Sequence, residues 1–546
     1  MPRPHSECKL AIIGFGPRGL GALEALATAA QDRDYLFTID IFDPTDALGA
    51  GPNFHPDEHD LCELNIPVRA LEITPPDILR PHIAPFDIWW DENSTPETFP
   101  PRRALGAYLE ARFAALRAAS ATLKIAHHAA CATALERRST GWWILSEDAP
   151  HGPYDEVLIC VGQPATAPDP QLQRWQNHAQ DRGLDLCPAY PVTALLTHAQ
   201  AWQGRVVAIR GLGLSTHDVL RGLTLGLKGR FEGGRYIRSG AEPSKIIPFS
   251  FNGLAPAPKP ATAEIDAQFD LTTAEISAFT DAMTRALSQA GATALETISA
   301  ALISPVSRIL NHCGATTCED DIAHWLEIER CADATHEHGD TLEELRRTIA
   351  MARGRTPPAI DYTIGQIWRK LQNEIRAAFN SAEISPATAK AVIKFDEGLK
   401  RFSYGPNVVA SEQLEMLIKD GLVSLRIVED PDIALCAQGW QLVEGEDEML
   451  ATAMIDAVLP SPDLDHVTDP LIRRAVEGGF ILPLDEGLGA QTGPDGSLNQ
   501  RNLAGAGSAC LLGRLSLGSV IAADSLHDCF GASTDRWAQG LLERRG

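Results

Sequence analysis

At 546 residues the chain is longer than a single hydrophobic core normally grows, so two or three domains are expected. With 44% hydrophobic and 22% charged residues it has the make-up of an ordinary globular protein. A net charge of -25 repels phosphate backbones and anionic lipids, so no nucleic acid and no membrane partner is expected, and an anionic substrate would need a local basic pocket.

The N-terminus carries no signal-peptide pattern and no apolar run is long enough to span a bilayer, so the expected address is cytoplasmic. Eleven scattered cysteines read as reduced thiols. His312-Cys313 with Cys318 forms a C-x4-C, but no second cysteine pair with ligand spacing follows, although Cys331, His336 and His338 lie downstream. No metal is expected.

The first ordered stretch is an apolar run, Leu10 to Ile13, broken at Gly14, Gly16 and Gly19 and followed by alanines and leucines at helical spacing. This is G-x-G-x-x-G between strand and helix. The first glycine permits the turn, the second lets backbone approach a pyrophosphate, and the third lets helix pack on strand. A second strand, Phe37-Thr-Ile-Asp-Ile-Phe, ends at Asp43, 24 residues after Gly19 and placed to accept from ribose hydroxyls.

A glycine-punctuated loop follows, Asp46 to His55, of the kind that passes close to a cofactor. In Leu64-Asn-Ile-Pro, Asn65 can hydrogen-bond a flavin edge or cap a turn. Pro101-Arg-Arg-Ala-Leu-Gly-Ala-Tyr-Leu opens an amphipathic helix, where Arg102 and Arg103 could clamp a phosphate or a carboxylate. Gly141-Trp-Trp-Ile-Leu-Ser reads as a strand of a small meander, and the strand Val157-Leu-Ile-Cys-Val stops at Gly162. Residues 165–185, rich in Pro, Gln and Asp, read as a linker.

A second nucleotide signature begins with the strand Val206-Val-Ala-Ile-Arg and the turn Gly211-Leu-Gly-Leu-Ser. Gly213 takes the second glycine's place and Ser215 the third's. Arg235, Arg238 and Lys245 follow, which favours NADPH over NADH. From 263 to 395 the texture is helical, with start signals at Thr272 and Ser381 and i,i+4 charge pairs after Thr341. This insertion reads as a cover over the site or a partner surface. A strand over Val423 to Val428 completes the second domain, Met454-Ile-Asp-Ala-Val reads as a return to the first, and the Gly505–Gly507 turn with a helix from Gly518 closes the chain near the flavin.

The expected fold class is α/β, with two Rossmann-like dinucleotide-binding domains of three layers on parallel sheets and a helical insertion. The expected boundaries are 1–165 with 436–546 for FAD, 186–262 with 396–435 for NAD(P), and 263–395 for the insertion.

On Ile13-Gly-Phe-Gly-Pro-Arg-Gly-Leu, Leu64-Asn-Ile-Pro, Pro101-Arg-Arg-Ala-Leu-Gly-Ala-Tyr-Leu, Arg210-Gly-Leu-Gly-Leu-Ser-Thr-His-Asp-Val-Leu, Ser239-Gly-Ala-Glu-Pro and Leu459-Pro-Ser-Pro-Asp-Leu-Asp, the chain resembles a family of flavin- and nicotinamide-binding proteins. That family includes a urate hydroxylase and a nitrosuccinate-forming aspartate N-monooxygenase; more distantly the chain resembles ornithine- and lysine-type N-hydroxylating monooxygenases. It departs at Ala241, where an Arg is common. The resemblance implies a flavin reduced by NAD(P)H that activates molecular oxygen for hydroxylation of a small polar metabolite, chiefly the neutral amine of an amino acid.

In this reading Gly14, Gly16, Gly19, Asp43, Asn65, Arg103, Gly162, Gly505 and Gly507 serve FAD, and Gly211, Gly213 and Ser215 serve the nicotinamide cofactor. No residue stands out as a catalytic base; His55, His217 and Arg103 are candidates by their place in cofactor-facing loops. Two other functions stay open: a flavin oxidoreductase passing electrons onward, and a non-catalytic flavin-binding scaffold whose insertion holds a partner. A homo-oligomer is compatible with all three.

Overall fold

The computed structural model describes residues 6–33, 35–90, 94–119, 122–147, 149–331, 336, 338–498 and 508–545. Nine strands build two parallel sheets. In chain order they are β1 (Ser6–Ile13), β2 (Tyr35–Phe42), β3 (Leu123–His128), β4 (Glu156–Ile159), β5 (Asp185–Pro188), β6 (Val206–Arg210), β7 (Lys245–Phe249), β8 (Ala453–Asp456) and β9 (Ser508–Leu511). The first sheet runs β9-β4-β1-β2-β3 and the second β7-β6-β8-β5. Leu10, Ile12, Val207 and Ile209 are buried, as expected for strands covered on both faces.

Each sheet contains the same βα step. β1 leads into α1 (Pro17–Ala29) and β6 into a shorter helix; between them in the chain lies α2 (Arg102–Ala119), so the helix after β6 is α3 (Leu214–Arg221). Each sheet also receives its next central strand after a three-stranded antiparallel meander. Residues 132–154 precede β4, and residues 432–451 precede β8. The two units are structural repeats of one plan.

Sheet membership corrects the expected boundaries. Met454 and Ile455 pair with Ala208 and Ile209 of β6, so β8 and its meander belong to the second sheet. The return to the first domain therefore follows Asp456 and does not begin at 436. Residues 165–185 are not a bare linker either, since Pro170–Arg182 is a helix. Asp169 caps it by accepting from Leu172 N, Gly183 ends it in the left-handed conformation, and Trp175 buries against the second sheet.

The 395/396 boundary falls inside the helix Pro386–Ser403, whose N-cap is Ser385. The helical insertion shares one core with the second sheet: Trp368, fully buried with its indole N–H on Asp396, lies in the same apolar cluster as Val207 and Ile209. The helix expected from Gly518 is displaced, because Gly518 takes φ +103° and Ile521 N is held by Asn380, so helical structure starts at Leu526. The expected strand over Val423 to Val428 is reduced to isolated bridges, Val423 to Ile246 of β7 and Glu429 to Ser250 just past it. No helix among the described residues is long and apolar enough to cross a membrane.

Candidate active site between two glycine turns

The two glycine turns lie at the carboxyl ends of β1 and β6, where ligands of open α/β sheets sit. In the first, Gly14 N donates to Phe42 O at 2.9 Å, and Gly14 has φ +80°. A Cβ there would lie 2.6 Å from the Cys160 carbonyl oxygen, so only glycine fits. Gly16 is the N-cap of α1 and no side chain caps the helix, which leaves the first-turn N–H groups and the positive dipole end for an anion. The Asp46–His55 loop crosses over this turn: a Cβ on Gly16 would be 3.5 Å from the Gly51 Cα, and Gly49 N donates to Phe15 O. Gly19 faces Gly14 O and the Phe15 ring, as close helix–strand packing requires.

Asp43 is buried at the end of β2. One carboxylate oxygen accepts from Phe15 N at 2.7 Å and the other from Thr45 N and Oγ1. It stiffens the turn itself and keeps lone pairs for a ribose. Arg18, the unassigned residue of the turn, is buried and donates to the Asp528 carboxylate and the Ala523 carbonyl, tying the turn to the C-terminal segment. The half-buried Asn65 lies between two backbone anchors, Leu64 N to Pro100 O and Val68 N to Thr98 O. Its carboxamide makes no hydrogen bond among the described residues. Gly162 follows β4 with φ +65° and is exposed, with open space at its Cβ position. Gly505 and Gly507 lie outside the described residues.

In the second turn Gly211 N donates to Phe249 O at 2.7 Å, the counterpart of the Gly14 bond. Gly213 is the uncapped N-cap of α3, and nothing lies within 4 Å of a Cβ placed there. Ser215 hydrogen-bonds Tyr190.

Arg103 pairs with Asp60 on the surface, both side chains about half exposed. Its neighbour Arg102 turns inward instead, donating to Asp218 of α3 at 2.6 Å, Tyr190 Oη and the Glu63 carbonyl. Glu63 in turn pairs with Arg221 and accepts from Asn407. This polar lock joins the two sheets and was not foreseen. Burial holds the Asp218 carboxyl above its ordinary range against the pull of Arg102.

His217 is buried on α3, and burial, aided by Arg221, pushes its imidazole down to about 4, so it is neutral near pH 7. His55 closes a short 3-10 turn and accepts from Asp57 N. The cations read as a 2′-phosphate site miss the turn. Lys245 pairs in register with Val206, at the far end of β6 from Gly211, and Arg238 is bound to Asp420. Ala241 lies on that same far side, where Glu242 O accepts from Gly204 N.

Beside the Asn65 loop is a cluster of cations. Arg69 Nη1 meets Asp266 at 2.9 Å, Lys370 Nζ meets Asp270 at 2.7 Å, and Arg369 also binds Asp266. Next to them Lys259 donates to the Gly405 carbonyl, and burial together with Arg369 pushes its ammonium down to about 7. All eleven cysteines are free.

Residues 11–164 match the FAD-NAD(P)-binding family model. A nitrosuccinic acid synthase of Aspergillus oryzae is 25% identical over 558 residues, covering 88% of this chain and 83% of that protein. A nitrosuccinate-forming L-aspartate N-monooxygenase of Streptomyces davaonensis is 25% identical over 583 residues, covering 87% and 85%. The reduced form of an ornithine hydroxylase from Pseudomonas aeruginosa superposes with a TM-score of 0.56 at 12% identity, covering 99% of this chain and 100% of that one, which establishes the shared fold.

Proposed function

We propose that this FAD-NAD(P)-binding chain is a flavin-dependent N-monooxygenase that uses NAD(P)H and molecular oxygen to hydroxylate the amine of a small acidic amino acid, with L-aspartate the first substrate to test. The observation that carries the reading is the pair of uncapped glycine turns on two parallel sheets, within a chain similar over most of its length to a nitrosuccinic acid synthase and a nitrosuccinate-forming L-aspartate N-monooxygenase.

Gly14, Gly16 and Gly19 with the N–H groups of α1 would hold the FAD pyrophosphate, Asp43 its ribose, and the unpaired Asn65 carboxamide an edge of the flavin ring. Gly211, Gly213 and the start of α3 would hold the nicotinamide dinucleotide. Bound FAD supplies the redox and oxygen chemistry. The protein's part is to place the amine, keep it unprotonated and exclude water.

Arg69, Lys259, Arg369 and Lys370 are the cations an acidic substrate would use against a net charge of -25, in exchange for the Asp266, Asp270 and Glu97 carboxylates that hold three of them in this structure. A dicarboxylate displacing part of the hold on Asp266 would be fixed by guanidinium groups while its amine faces the flavin side.

The test is direct. Purified protein should take up FAD, and L-aspartate should stimulate NAD(P)H oxidation with one oxygen atom appearing in the product mass. NAD(P)H oxidation with no oxygen gained by any amino acid would favour electron transfer to another acceptor. A protein that takes up no flavin sinks both readings.

A further inference from the structure

Five large apolar side chains stand out as exposed among the described residues: Ile88, Phe251, Val409, Val458 and Leu459. Three of them follow the two strands that flank β6, at the carboxyl edge of the second sheet. Phe251, 85% exposed, is two residues past Phe249, whose carbonyl accepts from Gly211 N. Val458 and Leu459, the latter 67% exposed, follow Ala457, whose carbonyl carbon would lie 3.3 Å from a Cβ on Gly211. The second glycine turn is thus flanked on one side by an aromatic ring and on the other by an aliphatic pair. Leaving such groups in water costs hydrophobic free energy.

Topology says which side is which. β7 is the second strand of this βαβ unit, and its end is where a dinucleotide's adenosine ribose rests. β8 lies on the other side of β6, so the opposite half of the ligand runs over its end. From there the chain crosses to the first domain: the Pro460 carbonyl accepts from Arg514, and Thr166 bridges Val467. The β8 side is therefore the side that faces the first sheet.

Resting on the two-cofactor reading above, we propose that Phe251 is the adenine platform of the nicotinamide-dinucleotide site and that Val458 and Leu459 form its nicotinamide wall. The purine stacks on the Phe251 ring, with Ser250 and Asn252 beside the ribose. The pyrophosphate spans Gly211 to Gly213, and the nicotinamide lies against the aliphatic pair, directed toward the first domain.

Calorimetric titration of the FAD-loaded protein with ADP and with 2′,5′-ADP, which carry the adenine but no nicotinamide, tests the assignment apart from turnover. Phe251→Ala should weaken whichever fragment binds by about tenfold, and Phe251→Trp should restore it, since base–aromatic stacking tolerates any aromatic face. Leu459→Ala should leave fragment binding within about twofold while weakening the intact dinucleotide. Melting temperatures should not move, because both side chains are exposed. Fragment affinity equal to wild type in Phe251→Ala overturns this assignment alone. A wild-type protein that binds neither fragments nor NADPH or NADH overturns the assignment and the two-cofactor reading together.

Discussion

The two glycine turns are built on one plan and finished differently. The first is roofed: the Asp46–His55 loop crosses it, Asp43 grips Phe15 N, and Arg18 anchors it to the C-terminal segment. The second is bare, with open space at Gly213 and exposed apolar groups on either side. A ligand under the roof would be enclosed by chain that must move for it to leave, whereas one at the bare turn could come and go. That is the division expected of a resident flavin and an exchanging reductant, with what lies across each turn, rather than the turn itself, making the difference.

Breaking the roofed turn should have the largest effect. Gly14→Ala forces a Cβ against Cys160 in a conformation with φ +80°, and should cost about 3–5 kcal/mol. Flavin absorbance per mole of protein after gel filtration should fall to near zero.

The join between the turns comes next. Arg102→Ala leaves the buried Asp218 without its cation and should cost about 3 kcal/mol near neutral pH. The Asp218 carboxyl already sits above its ordinary range, so the protonated form is the one folding favours. Its stabilising effect is present at low pH and lost as pH rises through the raised value. The variant's melting temperature should therefore recover on lowering the pH from 7 to 5 relative to wild type.

His217 gives a shift of opposite sign. Its imidazole, held neutral down to about 4, favours the folded state above the unfolded value near 6.5, and that support is lost as pH falls toward 4. His217→Gln should flatten the acid limb of the stability profile by up to about 3 kcal/mol, measured by urea unfolding at a series of pH values.

The smallest structural effect belongs to the bare turn. Gly213→Ala has room and should change stability by less than about 1 kcal/mol. Its new methyl would project where a pyrophosphate must approach, so dinucleotide affinity should fall while flavin content stays. Loss of flavin in this variant would mean that the two turns are not independent.

The parts of this arrangement that are local in the chain could be read from the sequence. β1, Gly14 to Gly19, β2 and Asp43 are consecutive, and hydrophobic run, turn chemistry and helical periodicity all agree there. The second unit was readable for the same reason. What could not be read is long-range. Ala453-Met-Ile-Asp is a buried strand in either sheet, and only its pairing with β6 decides which. Arg102 and Arg103 are neighbours about 100° apart around a helix, and the buried one is chosen by Asp218, a residue far along the chain. The helix Pro170–Arg182 is a different kind of miss. Asp169, Pro170 and Gly183 announced it, but the surrounding Pro, Gln and Asp made the stretch look like a connector.

The discontinuity of the first sheet has a consequence for how the molecule is made. β9 completes that sheet beside β4, the helix Ala532–Arg545 packs on α1, and the partners of Arg18 lie at Ala523 and Asp528. All of these leave the ribosome after the second sheet and the helical insertion. The nascent chain thus holds its opening glycine turn unfinished through most of synthesis, while all four strands of the second sheet are made by Asp456. The fold that starts first closes last.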